Sequence, residues 1–330
     1  MSIEAVAGAG ANTGGPVAPL KVLFFSHDGK LGDAVVSTAF VAGLRAHAPH
    51  CEIHATVAGA TAVFWARDAR LRTLWPLARR GWRAVFATGR ALRRERFDYI
   101  VTWRPMRSEK NRFLLWLARP GRVIDLRQFH ASPPRHQIDA CREALLQIGW
   151  DGDGELAYAL GAGDGAQLGG VAADGREIIV VNLFAADRER NIDAQAGAAI
   201  LRGLRSSAPE ALLCLVCSDA TAGAARHVLA QPGVVAQLLN CEGNLERLIA
   251  LCGRADLLIS TDTALIHLAS AFDTPVIGIY QNDGVKALQW APRSRLRAQV
   301  LAAGADSIAG FSVEGVLQHA AALRAQARPA

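Results

Sequence analysis

The hydrophobic and polar positions along the chain alternate between two kinds of segment. Short apolar runs, such as residues 21–26 and 177–184, have the length and side-chain types of buried strands. Amphipathic segments, such as residues 34–49 and 193–209, follow them and are typical of helices. Because parallel strands need helical crossovers, this alternation predicts an α/β protein whose parallel sheets carry helices on both faces.

The alternation stops once and then restarts. Residues 151–177 are rich in glycine, aspartate and alanine, so we expect the connection between two domains there. We predict a disordered leader at 1–19, an N-terminal Rossmann-like domain at 20–165 and a C-terminal one at 166–330. Ligands of such sheets bind at the carboxyl ends of the strands. The prediction is therefore two domains facing a central cleft.

Composition narrows the classes of ligand. The chain of 330 residues has a formal net charge of +6, and its basic residues are nearly all arginine, which binds phosphate and carboxylate groups in a bidentate manner. Aromatic residues are sparse and no long basic tail is present, so we do not expect a nucleic-acid partner. The six cysteines lack the paired spacing of a zinc site, which predicts reduced core residues of a cytoplasmic protein.

The stretch GKLGDAVVSTAF, residues 29–40, places an acid where the first strand leads into the first helix. Asp33 is either an N-cap or first-turn acid that the helix dipole favours, or a general base at the cleft floor. Gly29 and Gly32 leave room for a ligand to approach the backbone. No GxGxxG pattern follows this strand, so an NAD-dependent dehydrogenase is a weak alternative.

The stretch STDTALIHLASAF, residues 260–272, repeats that arrangement in the second half. The free N–H groups of its helix start can bind a diphosphate, and Thr263 adds a hydroxyl donor. Asp262 could hold a sugar hydroxyl or cap the helix. His267 falls one turn beyond Thr263 on the same helix face, where it is either a structural residue or part of the site.

These two stretches resemble the heptosyltransferase family, glycosyltransferase family 9. STDTALIHLASAFDTPVIGIY is similar to its C-terminal motif, and GKLGDAVVSTAF to its N-terminal Gly-Asp loop, in the expected order. The resemblance implies a GT-B fold, in which two Rossmann-like domains face a cleft. It also implies an inverting transferase that moves a heptose, or a related sugar, from an ADP-sugar donor to a lipopolysaccharide core or similar glycan, with no cofactor and no metal.

The resemblance assigns roles to individual residues. Asp33 matches the proposed catalytic base, and the segment NLFAADRERN makes Arg190 the basic residue that contacts donor phosphate. The other donor-binding residues that it implies are Gly243, Asp262, Thr263, Ala264 and His267. Ala264 stands where the family motif has glycine, and Gln281, Asn282 and Asp283 replace the family's Gly-Pro-Thr. These departures bear on the identity of the donor sugar.

The acceptor side is expected in the N-terminal domain. Gly32 and the basic residues Arg104, Arg107 and Lys110 are the predicted acceptor-binding positions, and the basic ones suit an anionic glycolipid or glycan or, alternatively, form a solvated face. The basic and aromatic stretch at residues 79–97 suggests peripheral contact with the inner face of the cytoplasmic membrane. Two functional alternatives stay open: a GT-B transferase using another nucleotide sugar for capsule or glycoprotein, and a degenerate, non-catalytic nucleotide-binding member.

Overall fold

The computed structural model describes residues 19–25, 29–77, 81–103, 106–129, 134–160 and 175–327. These residues form two separate parallel sheets, one in each half of the chain. The predicted α/β class is thereby confirmed. Residues 1–18 of the predicted leader and the predicted domain boundary at residue 165 lie outside the described residues, so both stay predictions.

The N-terminal sheet has five strands in the order β3-β2-β1-β4-β5. Each pairs in parallel with its neighbours, so all carboxyl ends lie at one edge. The strands are β1 (Lys21–Phe25), β2 (Glu52–Val57), β3 (Leu71–Pro76), β4 (Tyr99–Thr102) and β5 (Arg122–Asp125), and the helices are α1 (Leu31–His47), α2 (Ala60–Ala66), α3 (Trp82–Glu95), α4 (Glu109–Ala118) and α5 (Gln137–Ile148).

The C-terminal sheet has six parallel strands in the order β11-β10-β9-β6-β7-β8. Read from β8, this is the doubly wound order 3-2-1-4-5-6. The order in which the strands are added to the sheet reverses between β6 and β9, although all strands remain parallel. The strands are β6 (Ile178–Asn182), β7 (Leu212–Cys217), β8 (Gln237–Asn240), β9 (Leu257–Thr261), β10 (Val276–Tyr280) and β11 (Arg297–Leu301), and the helices are α6 (Ala194–Ser207), α7 (Ala222–Leu229), α8 (Leu245–Arg254), α9 (Ala264–Ala271), α10 (Lys286–Gln289) and α11 (Val313–Ala327).

Side-chain alternation along the strands divides the interior into three apolar clusters. On β1, Leu23 and Phe25 pack beneath α3 and α4, while Val22 and Phe24 belong to a larger cluster on the opposite face. That larger cluster continues into the C-terminal domain through buried residues of α8 and α9, such as Leu251. The two domains therefore share a continuous apolar core on the side where α1 approaches α9.

The two helix starts approach each other closely. A Cβ atom added to Gly32 would lie 3.7 Å from Cα of Ala264 and 3.5 Å from Cδ2 of His267. Polar contacts join the domains elsewhere, including an ion pair between Arg67 and Glu246. Because α1 and α9 each follow the carboxyl end of a strand, the ligand-binding edges of both sheets meet at this contact.

The prediction that the cysteines are core residues agrees with the structure, and the cytoplasmic location stays a prediction. All six cysteines are free thiols, and five of them are buried, with Cys241 partly so. Cys214 and Cys217 lie on opposite faces of β7, one in each of two apolar clusters. None of the helices in the described part of the chain is long and apolar enough to cross a membrane.

Candidate active site in the interdomain cleft

A cavity of about 650 Å³ opens between the two sheets. It lies beyond the carboxyl ends of β1, β6, β9 and β10, where the topology of doubly wound sheets places ligands. Its walls come from both domains, namely Lys30, Leu31, Gly32 and Asp33 from the first and Ala185, Ala186, Asp187, Glu189, Arg190, Asp262, Thr263, Ala264, His267, Gln281, Lys286, Trp290 and Asp306 from the second.

The N-terminal wall is the start of α1. Lys30 is the N-cap residue and makes no side-chain capping bond, and Asp33 follows in the first helical turn. Asp33 therefore is a first-turn acid and not the N-cap. The hydroxyl of Ser37 donates to the Asp33 carbonyl and accepts a 2.7 Å hydrogen bond from Nε1 of Trp103, which fixes this turn.

The loop that precedes α1 requires a glycine. Gly29 has a φ of 68°, and a Cβ atom there would lie 2.5 Å from the carbonyl oxygen of Ala58. Both the left-handed conformation and the lack of space exclude a side chain. Gly29 thus sets the path by which the chain leaves β1 and delivers Asp33 to the cavity.

The C-terminal wall is the start of α9. Thr263 is its N-cap residue in an extended conformation and makes no side-chain capping bond. Instead, Nδ2 of Asn182 donates to the hydroxyls of Ser260 and Thr263, at 3.0 and 3.1 Å. This network turns the Thr263 side chain toward β6. A diphosphate in the cavity would meet the first amides of α9, which the helix dipole makes favourable for anions.

Ala264 opens the first turn of α9 in ordinary helical backbone. Among the described residues, positive φ angles outside glycine occur at Arg96, Arg119 and Asp273, so Ala264 is not in that region. The alanine methyl group therefore causes no backbone strain at the position where the family motif has glycine. It lies against Gly32 of the opposite domain.

Arg190 and Asp262 form an ion pair at the cavity wall. One guanidinium nitrogen of Arg190 donates to the carbonyl and to Oδ2 of Asp262, at 2.9 and 3.1 Å, and the other donates to Asp187 at 2.6 Å. The hydroxyl of Thr261 donates to the Arg190 carbonyl. Burial raises the pKa of Asp262, and the Arg190 guanidinium opposes that rise. A ligand phosphate would thus compete with two carboxylates for Arg190.

His267 lies at the back of the cavity and is only 2% exposed. Its Nδ1 is 3.5 Å from the hydroxyl of Tyr158, and its ring packs against Trp290 with 5.5 Å between centroids. Burial, and to a smaller extent His136, lower its pKa to about 3. The imidazole is therefore neutral near pH 7, so His267 offers hydrogen bonding and packing to a ligand rather than positive charge.

The structure adds cavity residues that sequence reasoning missed. Lys286 lines the cavity, where its Nζ is 3.2 Å from Oδ2 of Asp283 and 3.5 Å from Oε1 of Gln281. Oδ1 of Asp283 accepts the amides of Val285 and Lys286, which anchors this loop. The replacement of the family's Gly-Pro-Thr already drew attention to Gln281 and Asp283, but nothing in the sequence pattern indicates Lys286. The position of β10 beside β9 brings this loop to the cavity.

Other predicted residues are not brought to the cavity. Gly243 lies in an exposed turn after β8. Three interstrand spacings, or about 14 Å, separate β8 from β9, which leads into the cavity wall. Its φ of 66° explains the glycine. Arg107 and Lys110 are exposed at the start of α4 and are absent from the cavity walls. Arg104 lies outside the described residues.

Comparison with known proteins identifies the C-terminal domain. Residues 175–307 match the model of glycosyltransferase family 9 (heptosyltransferase). This C-terminal part of the chain is similar to family 9 glycosyltransferases. The resemblance of the C-terminal motif is thereby confirmed, and the match spans β6 to β11 with the whole C-terminal wall of the cavity. No curated protein matches the chain.

Solved structures extend the likeness to the whole fold. A family 9 glycosyltransferase from Veillonella parvula is similar at a TM-score of 0.75, with 17% identity over 93% of this chain and 97% of the other. ADP-heptose lps heptosyltransferase II of E. coli is similar at 0.71, with 16% identity over 93% and 99%. E. coli heptosyltransferase WaaC with ADP is similar at 0.65, with 16% identity over 91% and 96%. The chain has the GT-B fold of these proteins, as predicted.

Proposed function

We propose that this protein is an inverting glycosyltransferase that moves a heptose, or a related sugar, from an ADP-sugar to a lipopolysaccharide core or similar glycan. The family 9 match supports a glycosyltransferase. The observation that carries the finer proposal is that Asp33 and the uncapped start of α9 line the same cavity from opposite domains. One wall then supplies a base and the other holds the diphosphate.

The transfer step follows from this arrangement. Asp33 accepts the proton of an acceptor hydroxyl while that oxygen forms a bond to the anomeric carbon of the donor. The bond between the anomeric carbon and the diphosphate oxygen breaks, and its electron pair leaves with the nucleoside diphosphate. Because base and diphosphate occupy opposite walls, attack comes from the face opposite the leaving group, and the anomeric configuration inverts.

The leaving diphosphate gains negative charge, and the C-terminal wall offers several groups that stabilise it. The first amides of α9 and the Thr263 hydroxyl are hydrogen-bond donors at the cavity edge. Arg190 and Lys286 line the same wall and add positive charge. We assign to Lys286 a role beside Arg190, since both cations are held at the cavity by carboxylates that a phosphate can replace.

The donor in this proposal is an ADP-sugar and the acceptor an anionic glycan. Two solved structures of E. coli heptosyltransferase WaaC, which have similar folds, contain ADP or ADP-2-deoxy-2-fluoro heptose, and this supports the choice of nucleotide. For the acceptor, the support is the basic start of α4, where Arg107 and Lys110 are exposed. Peripheral contact with the membrane that carries such an acceptor is part of the same proposal.

A panel of nucleotides tests the choice of donor. A ligand that binds the folded state raises the unfolding temperature in proportion to the logarithm of its concentration relative to Kd. We expect ADP to raise the unfolding temperature more than UDP, GDP or NAD at equal concentration. Stronger stabilisation by UDP or GDP would favour a transferase with another nucleotide sugar, and equal effects from all four would contradict a nucleotide-specific cleft.

A further inference from the structure

The exposed side of helices α3 and α4 carries aromatic and arginine side chains that take no part in the cleft. Three large aromatic side chains point outward there, with Trp82 50%, Phe86 44% and Trp116 62% exposed. The ring of Phe113 lies between the two helices and contacts both tryptophans at 5.7 Å. Exposed aromatic groups gathered on one face of a domain mark an interaction surface more often than isolated ones do.

Arginines lie beside two of these aromatic residues, Phe86 and Trp116. A second cavity, of about 960 Å³, opens between the carboxyl-terminal ends of α3 and α4. Its basic lining residues are Arg90, Arg93, Arg94, Arg96 and Arg119, and Asp98 is the single acid among its lining residues. Asp98 already accepts the backbone amide of Lys21 at 2.8 Å. Within the described part of the chain, none of the five guanidinium groups pairs with a carboxylate.

The negative carboxyl-terminal ends of α3 and α4 do not balance the positive charge of these five arginines. The carboxyl-terminal end of a helix carries about half a negative charge, so two such ends offset about one of the five arginines. Asp98 offsets one more. Roughly three positive charges are left on this surface, and they repel one another in the absence of an external anion.

The carboxyl-terminal ends of α3 and α4 are both followed by an arginine, at a position where glycine is usual. Arg96 and Arg119 follow the last residues of α3 and α4, and both have left-handed backbone with φ of 56° and 47°. Glycine is the common residue at this position because it has no Cβ penalty. Both arginines line the second cavity. Both charged side chains therefore stand at a backbone position that disfavours any side chain.

We propose that the exposed side of α3 and α4 docks on a bilayer surface that is rich in anionic phospholipid. Arginines attract the phosphate headgroups, and tryptophan and phenylalanine enter the boundary between headgroups and acyl chains. Arg90 packs over Phe86 at 5.7 Å, so charge and apolar surface reach the bilayer together.

The orientation of α3 relates this surface to the cleft. Trp82 begins α3 on the side of the strand carboxyl ends, and Arg93 and Arg94 end it on the opposite side. The 14 residues of α3 span about 21 Å, so the helix can lie flat on a membrane. The cleft edge then faces along the bilayer. This surface serves the proposed function by bringing a membrane-borne acceptor near Asp33, but its binding to lipid is measured without catalysis.

Sedimentation with vesicles tests the proposal on the full chain. One set of vesicles is phosphatidylcholine alone, and the other contains about one third phosphatidylglycerol, which sets a negative surface potential. We expect binding to the anionic vesicles only, weakening as salt is added. Replacing Arg90, Arg93 and Arg94 by serine should weaken that binding about 100-fold, because each basic residue at such a surface contributes about fivefold.

A matched control keeps the test specific. Arg202, Arg226 and Arg254 are exposed arginines of the C-terminal domain, and replacing them by serine makes the same change in net charge. This control variant should bind vesicles like the wild type, and thermal unfolding should show both triple variants folded. Equal losses in the two triple variants, or equal binding of wild type to neutral and anionic vesicles, would overturn the proposal.

Fluorescence distinguishes a bilayer from a free anion or a second copy of the chain. Brominated lipid quenches tryptophan that enters the bilayer, and we expect less quenching in Trp116→Phe than in the wild type. Binding of inorganic phosphate without sedimentation on vesicles would show a soluble-anion site and overturn docking. A change of oligomeric state in the triple arginine variant, again without vesicle binding, would do the same. These experiments contain no sugar donor and no acceptor. Their outcomes therefore do not depend on whether the proposed transfer reaction takes place.

Discussion

The two helices that meet across the cleft, α1 and α9, both begin without a side-chain cap, yet their surroundings differ. Around α9, Asn182 holds two hydroxyls of the β9–α9 turn, and Arg190 bridges two carboxylates. In the N-terminal domain, the predicted acceptor residues Arg107 and Lys110 are exposed to solvent and lie outside the cavity walls. The C-terminal wall is therefore organised before a ligand arrives.

This difference matches a division of labour. A diphosphate needs donors that are already in place when charge develops, because reorganisation during the reaction would raise the barrier. In the proposed reaction, the acceptor glycan is larger than the diphosphate, and exposed basic side chains of the N-terminal domain are its expected contacts. Asp33 is the exception on the N-terminal wall, since the Ser37 and Trp103 contacts fix the turn that carries it.

Asp33→Asn gives the largest expected effect and tests that exception. Losing a general base lowers a rate by about 10²–10⁴-fold, while the isosteric amide preserves the first turn of α1. We expect initial rates of sugar transfer to fall by this factor and ADP affinity, measured by calorimetry, to stay unchanged.

Asp139→Asn is the matched control, because Asp139 is also an acid in the first turn of a helix of the same domain. Both variants lose the same favourable interaction with a helix dipole. If Asp139→Asn lowered the rate as much as Asp33→Asn, or if Asp33→Asn stayed within a few fold of the wild type, Asp33 would not be the base.

Arg190→Ala breaks the organised wall and has the next largest effect. It removes a charge-assisted hydrogen bond to donor phosphate, which contributes about 1–3 kcal/mol. It also leaves the partly buried Asp262 without its guanidinium partner. We expect weaker ADP binding by calorimetry and a lower unfolding temperature of the free protein.

Arg188→Ala is the control for this change, since Arg188 is an exposed arginine of the same short helical turn. It should leave both measurements unaltered. A loss of ADP affinity in Arg188→Ala, with none in Arg190→Ala, would move the phosphate contact to Arg188 and contradict the assignment made from DRERN.

Sequence reasoning found the interior of each sheet better than its edges. Strands β3, β8 and β11 are all edge strands, and none has an apolar run like those that predicted strands at residues 21–26 and 177–184. Edge strands are partly exposed, so they lack the continuous apolar run that marks a central strand. RAQVL of β11 shows this, with an exposed residue at each end.

The candidate site was predictable where motif and chain order coincide. Asp33 and the residues 262–264 each follow a recognisable strand, so their place at a sheet edge follows from the pattern. Lys286 and Trp290 could not be found in this way. They come after β10, and their approach to the cavity depends on the order of strands and on how the two domains sit together.

The pH dependence of stability tests the contact between the halves. Nδ1 of His136 accepts the Ile138 amide at the start of α5, and its Nε2 lies 3.0 Å from the Ala291 carbonyl of the other domain. Burial lowers the pKa of His136 to about 4, although the bond to Ala291 opposes this. Since the unfolded chain protonates near pH 6.5, stability from this group is present above that pH and lost as pH falls toward 4.

We expect His136→Asn to remove part of this acid sensitivity. Asparagine can still cap α5, so stability near pH 7 should change little. Between pH 7 and pH 5, protonation of His136 in the unfolded chain should lower the free energy of unfolding of the wild type by up to about 2 kcal/mol. The variant should not show this part of the decrease. Urea unfolding at several pH values measures this. If the free energies of unfolding of the two proteins fell in parallel from pH 7 to pH 5, His136 would have to be protonated equally in the folded and unfolded chain, which would contradict this prediction.

The smallest expected effect is that of metal removal, for which we predict none. The organised wall already offers helix amides, Thr263, Arg190 and Lys286 to a diphosphate. A metal-dependent site would instead need converging carboxylates beside the phosphate. Of the acids that line the cavity, Asp187 and Asp262 both pair with Arg190, while Asp283, on the loop after β10, accepts two backbone amides.

Transfer should therefore continue at an unchanged rate in excess EDTA. The measurement is the initial rate of chelator-treated enzyme, with and without added Mg²⁺ or Mn²⁺, and a metal-dependent transferase assayed alongside shows that chelation was complete. Activity that EDTA abolishes and either ion restores would contradict the role given to amides and cations. Asp262→Asn and Asp283→Asn would then show which carboxylate holds the ion, because the apparent metal affinity should fall in the variant that lost a ligand.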